Sequence, residues 1–372
     1  TPCGTLFPYT TLFRSPTPKN ITPGTELLPL EKPLASRARD EFDHPFGEFP
    51  NAVEKSFRRY GVKVRFFIVE DFAPYAYKLE IAKGGIIVCG GDKAGLFYGY
   101  QSLLQIIEQC HDAIPCCTVE DEPDLSFRAF HLDLRIHKFR PAYIKALFHD
   151  LARLRYNAVV IHYHDTFPYV KEPLITGELH YRPDQREEIR RAAEVEGLEL
   201  IPALNIAGPI DCLLGLERYI TLSHQTGEPF GRIALDHPQT IKLFTTLIDE
   251  LRDAHASRRM FIGAAQHEPT HAGDALQRES AASTDPDAAK KYFDAIFAHI
   301  DARKISPLVC SDIIESFPDA RESLPGGALI VVRDSPRDTA LSTALKDARD
   351  LGLGAVCGVT TRGTPDNEFA RD

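Results

Sequence analysis

From about Asn51 onward the chain sorts into short runs with a readable period. "KVRFFIVED" and "YAYKLEI" alternate apolar and polar residues, as strands with one buried face do. "GGIIVCGG" is a short apolar run closed by glycines at both ends, the pattern of a buried strand. "DKAGLFYGYQSLLQIIEQC" then changes to a helical period and sets Leu96, Tyr100, Leu103, Leu104 and Ile107 on one face. Strands followed by a helix predict a small α+β domain over residues 51–126. Residues 16–50 carry proline and charge without a sustained period and are expected to form a loose lead-in.

After Arg128 the rhythm becomes strand, helix, strand, helix. Strands are expected at "FRAFHLDL", "NAVVIHY", "LELIPALN", "RMFIGA", "PLVCSD", "ALIVVRD" and "GAVCGVT". Helical stretches separate them, among them "PAYIKALFHDLARLRY" with Pro141 at its start, "PDQREEIRRAAEVEG" and "HPQTIKLFTTLIDELRDAH". Such alternation predicts a parallel sheet, and no G-x-G-x-x-G follows the first strand to suggest a nucleotide-binding sheet. The expected fold is therefore α/β: a (β/α)8-type TIM barrel over residues 127–372, preceded by the small α+β domain. The seven strand–helix units are one short of closure, so the barrel is read as lacking its last unit and the sequence as a fragment, truncated at its C-terminal side.

Composition narrows the function. With 372 residues the chain is long enough for such a pair of domains. The net charge of −10 and the lack of a basic, aromatic-laced patch argue against nucleic acid and anionic membrane as partners. No apolar run reaches membrane-spanning length, so a soluble protein is expected. The eight cysteines are scattered with no C-x-x-C spacing and read as buried free thiols. The opening "TPCGTLFPYTTLFRS" has no signal-peptide pattern, and its "PYTTLFRS" reads as a translated sequencing adapter. Residues 1–15 are set aside as non-native, and the compartment is unreadable.

In a barrel the chemistry sits at the C-terminal strand ends. Those ends supply Asp133 and Arg135; His162, His164 and Asp165; Asn205; Gln266, His267 and Glu268; Asp312; and Arg333 with Asp334. Carboxylates and imidazoles converging on one mouth are a catalytic or binding set by default. Plainer roles compete: Asp133 with Arg135 as a rim ion pair, Asn205 as a turn residue. "HEPTH" at 267–271 also fits H-E-x-x-H by letter, which with "HYH" at 162–164 leaves open a metal-dependent hydrolase using His162, His164, His267 and His271.

Taken together, "YKLEI…GGIIVCGGDKAGLFYGYQSLLQII…IPCCTVEDEPDLSFRAFHLDLR", "NAVVIHYHDTFPY", "LELIPALNIAG" and "FIGAAQHEPTHAG" resemble glycoside hydrolase family 20, the β-N-acetylhexosaminidases. The resemblance implies a carbohydrate partner carrying terminal N-acetylhexosamine, no cofactor and no metal. It implies a retaining reaction in which the substrate's own acetamido oxygen attacks the anomeric carbon. The protein then supplies an acid/base and an adjacent carboxylate that orients the acetamido group. In the family these are a consecutive Asp-Glu pair after the fourth barrel strand. Here the pair falls on His267-Glu268 if two extra residues follow Gly263, or on Ala265-Gln266 without a gap. The first register is preferred, since a strand end tolerates a bulge. It makes Glu268 the acid/base and puts His267 in the orienting place. Asp133, Arg135, His164, Asp165, Tyr169 and Asp312 are the expected substrate contacts. Gly208-Pro209 stands where the family has Gly-His, and the chain contains no Trp to wall a sugar pocket. These departures keep open a non-catalytic barrel that binds amino sugar or serves as scaffold.

Overall fold

A computed structural model describes residues 17–34, 41–134, 137–208, 210–223, 232–264, 285–333, 345–346 and 348–358. The chain falls into two compact units. The first draws on Thr1–Phe130, Arg140–Val159 and Glu187–Glu199, and the second on His131–Phe139, Val160–Arg186 and Leu200–Asp372.

The first unit holds a five-stranded sheet of β1 (Asn20–Pro29), β2 (Val64–Ile68), β3 (Tyr77–Ala82), β4 (Gly85–Gly90) and β5 (Ala113–Asp121), in the order β1-β5-β3-β4-β2. β3 and β4 form a tight hairpin in which Tyr77 faces Gly90 and Ala82 faces Gly85. The segment expected to be a loose lead-in contains β1, which pairs antiparallel with β5 and shifts register between Pro23 and Leu27. Proline and a bulge belong on a sheet edge, where a missing N–H costs no ladder bond. Among the described residues, the amino-terminal stretch also holds α1 (Asn51–Arg58) and α2 (Lys93–Ile107).

α2 is buried on every side from Gly95 to Ile107, not along one stripe. Phe46 and Phe49 set their rings edge-on to Phe97, at 5.3 and 5.7 Å, so the residues before α1 help to cover it. The helix starts at Asp92, whose carboxylate accepts the N–H of Gly95 at 2.7 Å and that of Tyr75 at 3.2 Å. Gly95 is required there, because a Cβ would overlap the carbonyl oxygen of Ala76 and stand 3.1 Å from the carbonyl carbon of Tyr75.

A buried polar cluster ties distant parts of this unit together. The Arg155 guanidinium donates to Asp121, to Tyr77 Oη at 3.0 Å and to Ser102 Oγ at 2.7 Å. Burial raises the Tyr77 phenol to about 12. Elsewhere His149 lies between two largely shielded carboxylates, 3.3 Å from Asp43 and 3.1 Å from Glu196. Hydrogen bonds to both raise its pKa to about 10.

The larger sheet has seven strands: β6 (Ala129–Asp133), β7 (Ala158–His162), β8 (Glu199–Asn205), β9 (Arg259–Gly263), β10 (Ser306–Cys310), β11 (Leu329–Arg333) and β12 (Gly354–Gly358). They lie side by side in chain order, and β8–β9, β9–β10, β10–β11 and β11–β12 pair in parallel. α3 (Pro141–Arg153), α4 (Pro183–Val195), α5 (Asp211–Leu214), α6 (Pro238–Ala254), α7 (Pro286–Ala302) and α8 (Ser311–Ser316) alternate with these strands along the chain. Pro141, Pro183, Pro238 and Pro286 each open a helix, where the missing N–H has no intrahelical partner to lose.

The sheet is strongly curled. His131 on β6 and Phe261 on β9 bring their rings to 5.2 Å. On a flat sheet three strand spacings would hold them about 14 Å apart, so the inner faces of these strands have turned toward one another. The fold is a TIM-barrel-like α/β sheet of seven described strands with a separate small-sheet domain.

Candidate active site at the strand ends

The C-terminal ends of the parallel strands lie together. The N–H of Leu134, just past β6, donates to His162 O at the end of β7, and the N–H of Ile206, just past β8, donates to Gly263 O at the end of β9. Of the residues expected here, Asp133, His164, Asp165, Tyr169 and Asp312 are described. Arg135, Gln266, His267, Glu268 and His271 lie outside the described residues, as do Pro209 and Asp334.

Asp133 and His164 come together. His164 Nε2 stands 3.4 Å from Asp133 Oδ1; the imidazole is 7% exposed and the carboxylate 36%, so Asp133 is the solvent-facing partner. His164 has a φ of 53°, in the left-handed region that histidine enters more readily than most residues. This turn folds its ring back onto His162, with centroids 3.7 Å apart and planes inclined by 21°. His131 adds a third ring, 6.1 Å from His162. Stacked imidazoles do not make a metal clamp: near-parallel planes do not converge within the about 2 Å reach of a metal–nitrogen bond. Among the described residues no three His, Cys, Asp or Glu side chains are grouped to hold a metal ion.

Asp165 follows at once in a short 3-10 turn, His164–Thr166. Its backbone oxygen accepts the N–H of Gly177 at 2.8 Å, and its carboxylate lies directly against the Gly177 α-carbon. A Cβ at 177 would overlap Oδ2 and stand 2.9 Å from Cγ. Tyr169 is buried with its ring 4.8 Å from that of Phe167, and burial pushes its phenol pKa upward.

Asp312, two residues past β10, is 1% exposed. Its carboxylate accepts the backbone N–H of Ala264, at 3.2 Å to Oδ1 and 3.4 Å to Oδ2. From the other side Asn205 occupies the space that a side chain at 263 would need, since a Cβ on Gly263 would lie 2.5 Å from Asn205 Oδ1. The end of β9 is thus bracketed by Asn205 on β8 and by Asp312 just past β10.

Two features of this rim carry no signal in the sequence pattern. One is the Gly177 contact. The other is Lys138, in the loop after β6, whose Nζ donates to His180 O and lies 4.8 Å from the Tyr181 ring centroid. Burial, with Arg182 nearby, lowers the pKa of its ammonium group. Tyr181 Oη in turn donates to Phe139 O at 2.7 Å, stitching the loops after β6 and β7.

A curled parallel sheet with carboxylates and imidazoles at its C-terminal ends has the layout in which barrel enzymes carry their sites. Residues 17–122 match the family described as "Glycosyl hydrolase family 20, domain 2". The chain is 25% identical over 196 residues to a lacto-N-biosidase of Bifidobacterium bifidum, covering 51% of this chain and 17% of that protein. It is 25% identical over 200 residues to hexosaminidase D of Bos taurus, covering 52% and 57%. The solved β-N-acetylhexosaminidase of Bacteroides fragilis superposes with a TM-score of 0.70 at 18% identity, over 94% of this chain and 75% of that one. The chain spans less than two thirds of the length of these curated relatives. The comparisons thus tie residues 17–122 to a glycoside hydrolase family 20 domain and the fold to that of a solved β-N-acetylhexosaminidase.

Proposed function

We propose that this chain is a β-N-acetylhexosaminidase-like glycoside hydrolase that releases terminal N-acetylhexosamine from glycans by the substrate-assisted retaining route. The observation that supports it most is the gathering of Asp133, His164 and Asp165 at one end of the curled sheet. The strand β9 ends at that same side, and in sequence Glu268 follows it by five residues. The hexosaminidases among its relatives point the same way.

In this reading the acetamido oxygen of the substrate attacks the anomeric carbon while Glu268 protonates the departing glycosidic oxygen. An oxazolinium ion forms, and Glu268 then removes a proton from the water that opens it. His267 stands in the place that orients the acetamido N–H. A neutral imidazole accepts that hydrogen bond but brings no negative charge. The missing charge lowers the rate by about 10²–10³-fold relative to a carboxylate. Asp133, Arg135, His164, Asp165, Tyr169 and Asp312 are assigned to substrate binding. The test is hydrolysis of a chromogenic N-acetylglucosaminide by the protein and by Glu268→Gln. Equal rates remove Glu268 from the mechanism.

A second reading, a barrel that binds amino sugar without cleaving it, is favoured by His267 and Pro209 standing where the family has Asp and His. Calorimetric binding of N-acetylglucosamine without hydrolysis selects it.

A further inference from the structure

We infer that Gly177 is a positioning residue for Asp165, fixing the rotamer that the Asp165 carboxylate holds at the candidate site. This inference rests on the glycosidase reading above and deepens it by one residue.

The argument begins with how firmly position 177 is held. The Gly177 N–H donates to Asp165 O at 2.8 Å, and the Gly177 carbonyl oxygen lies 2.8 Å from His180 Nδ1 and accepts the His180 N–H at 3.3 Å. The flanking chain is held as well. Thr176 Oγ1 accepts the N–H of Tyr169 at 3.0 Å, and Thr166 O accepts the N–H of Tyr181 at 2.8 Å. With both of its backbone groups engaged, residue 177 has little room to retreat.

The Asp165 carboxylate packs against the hydrogen of this α-carbon. Any Cβ at 177 would overlap Oδ2 and come to 2.9 Å from Cγ and 3.3 Å from the Asp165 Cβ. The obstacle is the end of a side chain, not backbone, so the collision resolves by rotation of the carboxylate. A glycine here therefore protects a side-chain direction and not a fold. The distinction makes the inference testable, because a methyl group at 177 should disturb binding far more than stability.

The experiment is a double-variant cycle on the full chain with Gly177→Ala, Asp165→Ala and the pair, read by hydrolysis of a chromogenic N-acetylglucosaminide and by calorimetric binding of N-acetylglucosamine. The expected result is a KM and dissociation constant raised about 10- to 100-fold by Gly177→Ala, as a misplaced contact costs. Thermal unfolding should stay close to that of the parent. In the Asp165→Ala background the same substitution should change neither constant. A Gly177→Ala protein that binds and turns over like the parent overturns the inference, as does an equal loss with and without the Asp165 carboxylate. A parent protein that neither binds nor hydrolyses amino sugar overturns the glycosidase reading itself, and that outcome is distinct because it appears before any substitution is made.

Discussion

The carboxylate of Asp312 accepts the backbone N–H of Ala264 from inside the protein, 48 positions away in the chain. A residue that the family resemblance makes an expected substrate contact thus holds the main chain at the point where β9 ends. Replacing Asp312 by Ala strips a buried N–H of its acceptor and should cost about 1–3 kcal/mol. Asp312→Asn keeps an oxygen in place and should lose less. Urea unfolding of the two variants against the parent gives the comparison; equal losses would show that the oxygen at Ala264 is not what matters.

Arg155 makes a second long-range link. Its guanidinium serves Asp121, Tyr77 and Ser102 at once, and both members of the ion pair are at least nine-tenths buried. Arg155→Met removes the guanidinium partner of the Asp121 carboxylate, whose Oδ1 still accepts the Lys19 N–H at 3.2 Å, and the expected loss is about 3–5 kcal/mol. Adding Asp121→Asn should recover part of it. The sum of the two single losses in the double variant would mean that the residues act independently.

His149 makes stability depend on alkaline pH. Its pKa is raised to about 10, by its hydrogen bonds to Asp43 and Glu196, and Arg153 also faces the cluster, 3.6 Å from Asp43. The folded state holds this proton more tightly than the unfolded chain, whose histidines titrate near about 6.5. The contribution is therefore complete below that pH and is lost as pH climbs through about 10. The gap in urea midpoint between the parent and His149→Gln should be widest at neutral to mildly acidic pH and close steadily toward pH 10. A gap that is constant across this range would exclude the two-carboxylate clamp as its source.

Gly95 makes the opposite case to Gly177. A Cβ there meets the backbone of Tyr75 and Ala76, which a side-chain rotation cannot relieve. Gly95→Ala should lower stability by about 1–3 kcal/mol or more, measurable as a drop in melting temperature. An unchanged melting temperature would mean that α2 can slide along the sheet.

How far the letters revealed all this depends on burial. β9 and β10 were legible as "RMFIGA" and "PLVCSD" because almost every residue in them is buried, leaving an unbroken apolar run. β1 was not legible, because its residues are mostly exposed and Pro23 and Gly24 interrupt the alternation. α2 was read as one-sided since Gln101 and Ser102 look like surface letters. Both are buried, and Ser102 is satisfied by Tyr77 and Arg155. At the candidate site, strand period marked Asp133, His164 and Asp312 as end residues. Their partners were not marked: nothing in a linear pattern couples Asp312 to Ala264 or Asp165 to Gly177, because those contacts join positions past the strand ends that no periodicity relates.

The reach of Arg155 bears on where the polypeptide can be cut. Its side chain completes a cluster whose other members, Tyr77, Ser102 and Asp121, all belong to the small sheet and its helix. A recombinant piece ending near Ser126 would keep every strand of that sheet yet leave Asp121 facing an empty socket. Dissection of this protein should therefore carry the chain through at least the turn at Arg155 before the amino-terminal sheet is asked to stand alone.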